Sequence, residues 1–427
     1  MINRRTFLTT GATSATALLA QAPSQPAAAA APASPFADPD FGFTAQIVLG
    51  SAYYRQCDPG KLLAVLSQIK PGDFESAWKA FHDAGLEAQT LAQDALSKRH
   101  VVSAREAFLW AAGYFKASLR ALDGTKDPER MYSCWKEYAA CWSAAAGLFD
   151  PPAERLEIPY GDGHLTAWFL RTDGSRRRKP LIILNNGADG LENSLYADGG
   201  AGALARGYNC LILNGPGQGD SLWERKLYFR PDWEKVITPV VDAMLRHREV
   251  DPKRIALVGV SQGGYWVPRA LAFEPRIAAG VADPGVWDVS DPWLSHVPKM
   301  IRDLLDTGKK DPFDHVMAGA MANPRTAGML RFRMRPYGMK SYYDAFRAVR
   351  EYHLAEVAPR IRCPMLITDP ESEQFFPGQA QKLYDALRCP KKLVRFTHEQ
   401  GADQHCEVGA PGLRDYTVYN WLAETLG

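Results

Sequence analysis

Apolar residues recur every three or four positions from about residue 41 to residue 149. That spacing follows one face of a helix and shows no strand-like alternation. The clearest stretches are 74–97 and 103–122. Asp73 and Ser103 can open them, since each offers a side-chain oxygen to the free N–H groups of a first helical turn. An all-helical N-terminal domain over 41–150 is predicted. The pattern changes at Pro151. Runs at 156–159 and 165–171 flank Gly161-Asp162-Gly163, a hairpin signal. Short apolar runs follow at 181–184, 210–213, 255–258, 277–282, 365–368 and 393–396, with helical stretches such as 233–248 and 378–387 between them. Strands alternating with helices imply a parallel sheet covered on both faces. The rhythm breaks once, at 291–360, where Pro292, Pro298, Pro312, Pro324 and Pro336 punctuate a helical pattern. The predicted class is α/β: a mostly parallel, doubly wound sheet over 151–427, with a helical insertion after the sixth strand.

Composition narrows the partners. The chain has 427 residues, 46% apolar and 23% charged, which is ordinary for a globular protein of two or three domains. Fifty basic and forty-eight acidic side chains give a net charge of +2, too little basic excess to hold a nucleic acid. With no apolar run of about 18 residues, no membrane span is expected in the mature chain. The start differs from the rest. Arg4-Arg5-Thr6-Phe7-Leu8 leads into a mild apolar stretch ending near Ala20-Gln21-Ala22. This is the pattern of a twin-arginine export leader. Cleavage after Ala22 removes Arg4 and Arg5 and no acid, so the charge of +2 falls to zero. Residues 1–40 are expected to be leader and Ala/Pro linker, and the protein periplasmic or secreted.

Seven cysteines follow, an odd number that leaves at least one thiol unpaired. Cys134 and Cys141 would lie about 10 Å apart along a helix, too far to bridge. Cys363 and Cys389 each precede a strand. Were those strands parallel neighbours, about 4.8 Å apart, a disulfide would be within reach, buried free thiols being the alternative. Neither C-x-x-C nor H-E-x-x-H occurs, and no metal site is read.

One motif carries sharp chemistry. Gly259-Val260-Ser261-Gln262-Gly263 follows a strand and precedes a helix. This is the G-x-S-x-G turn, in which a strained serine is exposed at the start of a helix. A hydroxyl needs a base and an orienting acid to become a nucleophile, and behind such a turn the order is Ser, acid, His. The acid is expected after 365–368, where Asp369, Glu371 and Glu373 compete. A G-x-x-D-x-x-x-P spacing anchored on Pro377 selects Glu373. The base is His405, because His398 comes too soon after the last strand. The oxyanion donors are the amides of Gln262 and of Ala188, with Gly187 as the near alternative to Ala188. Gly215-Pro216-Gly217-Gln218-Gly219 mimics a dinucleotide loop, but its spacing is wrong. It is read as a turn toward the site mouth, with no helix starting there. Trp266, Trp287 and Trp293 flank that mouth and are candidates to stack on substrate, ordinary packing being the alternative. Arg331, Arg333 and Arg335 are candidates to hold a carboxylate, though a solvated face fits their alternation better.

Asn186-Gly187-Ala188-Asp189, the turn 215–219 and Gly259-Val260-Ser261-Gln262-Gly263-Gly264-Tyr265 resemble the α/β-hydrolases. The helical segment with Val102-Ser103-Ala104-Arg105-Glu106-Ala107-Phe108 resembles a group within them. That group includes 2,6-dihydroxypseudooxynicotine hydrolase and fungal hydrolases that shorten polyketide pyrones. The resemblance implies cofactor-free hydrolysis of a small molecule, including C–C cleavage beside a ketone, often by a homodimer. The export leader and a Glu as acid depart from the group. A serine aminopeptidase or acyl-peptidase is the competing enzyme reading, but no propeller repeat is present. A non-catalytic binding protein on the same scaffold is the third reading, but it would usually have lost one of the three side chains.

Overall fold

The structure, a computed structural model, describes residues 41–427. The expected leader and linker lie outside the described residues. The chain begins with helices α1 (Gly42–Ser51), α2 (Pro59–Leu66), α3 (Phe74–Ser97), α4 (Val101–Leu122) and α5 (Met131–Gly147). The Asp73 carboxylate accepts from the N–H groups of Glu75 and Ser76, both at 3.1 Å, and so fixes the start of α3. Helix α4 starts two residues before Ser103, with no side-chain cap. The turn from α3 is tight, with Arg99 at φ 60°, and the helix resumes as soon as the chain has reversed.

Eight strands form one sheet: β1 (Glu154–Tyr160), β2 (Gly163–Leu170), β3 (Lys179–Asn185), β4 (Asn209–Asn214), β5 (Val250–Val260), β6 (Ala279–Asp283), β7 (Met365–Pro370) and β8 (Lys391–Phe396). Their order is β1-β2-β4-β3-β5-β6-β7-β8. β1 and β2 close as a hairpin with Tyr160 opposite Gly163, as the glycine turn predicts. β2 runs antiparallel to β4, and the remaining pairs are parallel. Cys363 and Cys389 do precede parallel neighbours, yet both are free thiols and the disulfide does not form.

Each buried strand is apolar on both sides, and alternate residues serve different layers. Leu181, Ile183, Ile255 and Leu257 pack on one face against helices Glu234–Met244 and Gly263–Leu271 and the insertion. Ile182, Leu184, Ala256 and Val258 pack on the other against the N-terminal helices. The helical segment therefore shares a core with the sheet rather than hanging from it. The two helical covers also meet each other. Arg331 donates to the Asp123 carbonyl at 2.8 Å, and Arg335 ion-pairs with the Asp123 carboxylate. This corrects the expectation of a solvated arginine face, because α4 ends where those side chains emerge. A short helix, Gly219–Trp223, does start after the Gly-rich turn, contrary to the sequence reading. Among the described residues no helix is long and apolar enough to cross a membrane.

Candidate active site

The register sets Asn185 beside Gly259 and Val260 beside Asp283, so the C-terminal ends of β3, β5 and β6 share one edge. β5 turns there into helix Gly263–Leu271. A Cβ on Gly259 would fall 2.2 Å from the Gly263 carbonyl oxygen, so this sharp turn requires glycine. Ser261 sits at φ 58°, the left-handed region that a side-chain-bearing residue adopts at a cost of about 1–3 kcal/mol. Its N–H donates to the Asp283 carbonyl at 2.6 Å, which holds the strained residue in place.

The two loops that follow β7 and β8 bring in the partners. His405 Nε2 lies 2.9 Å from Ser261 Oγ. His405 Nδ1 lies 2.7 Å from Glu373 Oε2. Glu373 also accepts from the amides of Phe375 and Phe376, at 2.8 and 3.0 Å. The competing carboxylates point elsewhere. Asp369 pairs with Arg395, and Glu371 accepts from the His398 amide. His398 itself lies 3.5 Å from Asp403, away from the serine.

Burial shapes the charges. It alone would push Glu373 up, but His405 and the two amides reverse this, and the carboxyl lies below its usual range. Burial likewise pulls His405 down, and Glu373, with Asp283 and Asp189, more than offsets it. The imidazole therefore lies above its ordinary value of 6.5. A hydroxyl, an imidazole and an ionised carboxylate in this order can remove the hydroxyl proton and stabilise the imidazolium that results.

The amide of Gly187 is taken by Asn186 Oδ1 at 3.2 Å. Among the described residues the Ala188 amide has no such partner, which favours it of the two for an incoming oxygen. The Gly-rich turn braces this loop. Gln218 Nε2 donates to the carbonyls of Asn186 and Gly187, at 3.0 and 2.9 Å.

Ser261, Gln262, Ala188 and His405 line a cavity of about 200 Å³. Its other walls come from α1 and α4 (Phe43, Ile47, Lys116, Arg120) and from the insertion (Trp293, Arg333, Tyr337). Of the three tryptophans, Trp293 lines the cavity and the other two do not. Trp266 is fully buried under the sheet, stacked 4.4 Å from Trp233. Fourth in a helix that leaves the edge, its side chain points into the opposite layer. Trp287 is held by backbone bonds to Gln379 and Leu354, behind the cavity. Sequence reasoning missed Phe43 and Phe375, whose rings lie 6.3 and 4.7 Å from the imidazole. Phe375 was legible in principle, two residues after Glu373. Phe43 is brought in by packing alone. In the helical segment His82, Cys134 and Glu137 bring three ligand-type atoms within 4.8 Å of one another. They already bond locally: His82 meets Glu137 at 2.8 Å, Cys134 meets Ser118 at 3.0 Å, and burial raises the thiol to about 12.

The sheet order, the strained turn and the three-residue alignment define a hydrolase of the α/β type, and the comparisons agree. The chain belongs to the α/β-hydrolase family. The α/β hydrolase xenA of Xenoacremonium sinensis is 31% identical over 358 residues, covering 78% of this chain and 82% of its own. Hydrolase LUC6 of a Fusarium species is 31% identical over 405 residues, covering 91% and 96%. The 20-hydroxy-prefusarin hydrolase FUS2 of Gibberella moniliformis is 28% identical, covering 91% and 97%. Among solved structures, 2,6-dihydroxy-pseudo-oxynicotine hydrolase superposes with a TM-score of 0.71 at 20% identity, covering 88% of this chain and 95% of that one. No family model matches the chain.

Proposed function

We propose that this chain is an exported serine hydrolase that cleaves an ester or a ketone-adjacent C–C bond of a small, aromatic-bearing molecule. The carrying observation is the Ser261–His405–Glu373 alignment, at 2.9 and 2.7 Å, inside a cavity roofed by helices from two parts of the chain. Ser261 Oγ attacks the substrate carbonyl and passes its proton to His405 Nε2. Glu373 holds Nδ1 and stabilises the imidazolium. The amides of Gln262 and Ala188 bind the oxyanion. The C–O or C–C bond then breaks, and the departing alkoxide or enolate takes the proton from His405. Water, activated by the same imidazole, splits the acyl-serine to give an acid. The products are one carboxylic acid and one alcohol or ketone, and no other reagent is consumed.

A cavity of about 200 Å³ fits a small molecule better than a peptide chain. A relative acting on 20-hydroxy-prefusarin supports the same substrate size. A fluorophosphonate should label Ser261 once, as read by peptide mass spectrometry. A panel of aryl esters, aryl 1,3-diketones and aminoacyl anilides should show turnover of the first two. Labelling elsewhere, or turnover of the anilides alone, overturns the reading. Export is tested by fractionation of cells with Arg4-Arg5 intact or changed to Lys-Lys. The intact chain is expected in the periplasm or medium and the altered one in the cytoplasm.

A further inference from the structure

The cavity wall opposite the sheet holds a cation with no counter-charge. Arg333, on helix Pro324–Met334, lines the cavity beside Trp293, its guanidinium carbon 5.6 Å from the indole centre. One of its N–H groups donates to the Pro292 carbonyl at 3.0 Å. Among the described residues no carboxylate reaches it within ion-pair distance, although its neighbours Arg331 and Arg335 both bond to Asp123. The nearby charge is of the same sign. Arg120 also lines the cavity, laid over the Phe332 ring at 4.0 Å. Burial first, and then Arg120, drive the Arg333 guanidinium down to about 10. Arg333 is partly buried and Arg120 exposed, so the pair is partly screened, yet a half-buried cation without a counter-charge still favours an anionic partner.

Two further groups lining the cavity, one at the sheet edge and one on the insertion, lack partners among the described residues. The Gln262 side-chain amide and the Tyr337 hydroxyl lie next to one another and beside Arg333. Both are buried, and neither has a hydrogen-bond partner of good geometry. Such groups are rare in folded proteins and are completed by a water, an ion or a ligand. Arg and the Gln Nε2 can only donate, so the missing partner is an acceptor. The acids on the cavity do not supply it. Asp198 is bound to Arg414, and Asp189 is exposed and faces His405.

We propose that Arg333, with Gln262 Nε2 and the Tyr337 hydroxyl, binds an anionic oxygen of the substrate, either a carboxylate or an ionised 1,3-dicarbonyl enolate. Gln262 follows Ser261 directly, so the anionic oxygen sits close to the carbonyl under attack. This deepens the proposed hydrolase reading, and its test is a binding measurement that needs no turnover.

The Ser261→Ala variant at about pH 8 is titrated calorimetrically with three probes of one size: 3-benzoylpropionate, a carboxylate; benzoylacetone, an ionisable 1,3-diketone; and butyrophenone, which is neutral. At least one anion should bind about 30-fold or more tighter than butyrophenone, as loss of one partner of a buried charge pair typically costs that much. Which of the two does so identifies the source of the anionic oxygen. Adding Arg333→Gln should erase the preference, and Arg333→Lys should keep part of it by retaining charge without the planar fork. Arg331→Gln, on the same helix but bonded to Asp123, should leave the preference intact. Equal binding of all three probes, or a preference that survives in folded Arg333→Gln or is full in Arg333→Lys, overturns the proposal. Anion preference without phosphonate labelling at Ser261 would instead overturn the hydrolase mechanism and leave the anion site standing.

Discussion

The two sides of the cavity are built on opposite terms. At the sheet edge the three aligned side chains are matched before any ligand arrives: Ser261 to His405, His405 to Glu373, and Glu373 to two amides. On the helical side, among the described residues, Arg333 has no carboxylate and the Tyr337 hydroxyl no partner, amid the rings of Phe43, Phe332 and Trp293. The first arrangement fixes reacting groups in advance, which removes reorganisation from the barrier. The second leaves polar capacity unspent for a substrate to complete. On the proposed reading chemistry belongs to the strand ends and selection mainly to the helices, with Gln262 shared between the two.

The largest expected effect falls on the matched side. Glu373→Gln should lower kcat about 1,000- to 10,000-fold, because an amide cannot stabilise the imidazolium. It should also move the acid limb of the rate profile. His405 must be neutral to accept a proton, and Glu373 raises its pKa above the ordinary 6.5. Wild-type activity should therefore rise with pH through a value above 6.5, and the residual activity of the variant should rise at a lower pH. Glu371→Gln and Asp369→Asn should leave both readouts nearly unchanged. If Asp369→Asn proves the more damaging, the assignment of the acid is wrong.

Next comes the loop that presents the Ala188 amide. A Cβ on Gly187 would lie 2.6 Å from Ser261 Cβ and 2.9 Å from Oγ. Gly187→Ala should displace the hydroxyl or the loop and cost about 100-fold in kcat, comparable to losing one oxyanion donor. Its melting temperature should stay within a few degrees of wild type. A fully active Gly187→Ala protein would place the oxyanion elsewhere.

The helical side should respond in KM rather than kcat. Asp123 is buried, its carboxylate bound to Arg335 and its carbonyl to Arg331, and it ties α4 to the insertion. Asp123→Asn should loosen the roof and raise KM about tenfold, with kcat changed less than threefold. The predicted loss is modest because Arg335 keeps about a quarter of its side chain in solvent, where a lost charge is screened. An equal fall in kcat would mean that the roof also positions the sheet edge.

This contrast explains what was legible in the sequence. The hairpin at Gly161-Asp162, the glycines around Ser261 and the Asp73 cap are local rules, and each element appears where its residues stand. Glu373 and His405 are brought to Ser261 because chain order along a parallel sheet fixes which loops meet at one edge. The roof follows no local rule. Residues 43–51, 113–120 and 289–337 converge only through docking, and helical periodicity names a buried face without saying what it is buried against. Trp266 and Trp287 were misplaced for that reason, and Arg333 could not be told from Arg331 and Arg335.

The smallest effect lies beneath the matched side, in a carboxyl that the mechanism does not use. Glu407, two residues after His405, is fully buried at φ 48°. Its carboxyl lies against Asp283 and Thr368 without a partner of good geometry. Burial and the neighbouring Asp283 charge hold it well above the usual carboxylate range, while Arg414 opposes them. The sign of its contribution follows. A carboxyl whose folded pKa is raised stabilises the fold fully at low pH, and that stability is lost as pH rises through the folded value. Wild type should thus lose melting temperature as pH rises from the ordinary carboxylate value of 4.5, where the unfolded chain ionises first, toward the raised folded value. Glu407→Gln keeps the shape and removes the ionisation, so its loss over the same interval should be smaller. At acid pH, where Glu407 keeps its proton in both the folded and the unfolded chain, the two should differ by less than about 1 kcal/mol, since a protonated Glu and a Gln present similar groups to Asp283. Parallel pH profiles for the two proteins would show that Glu407 is already ionised against Arg414 and that the loop carrying His405 is anchored by an ion pair instead.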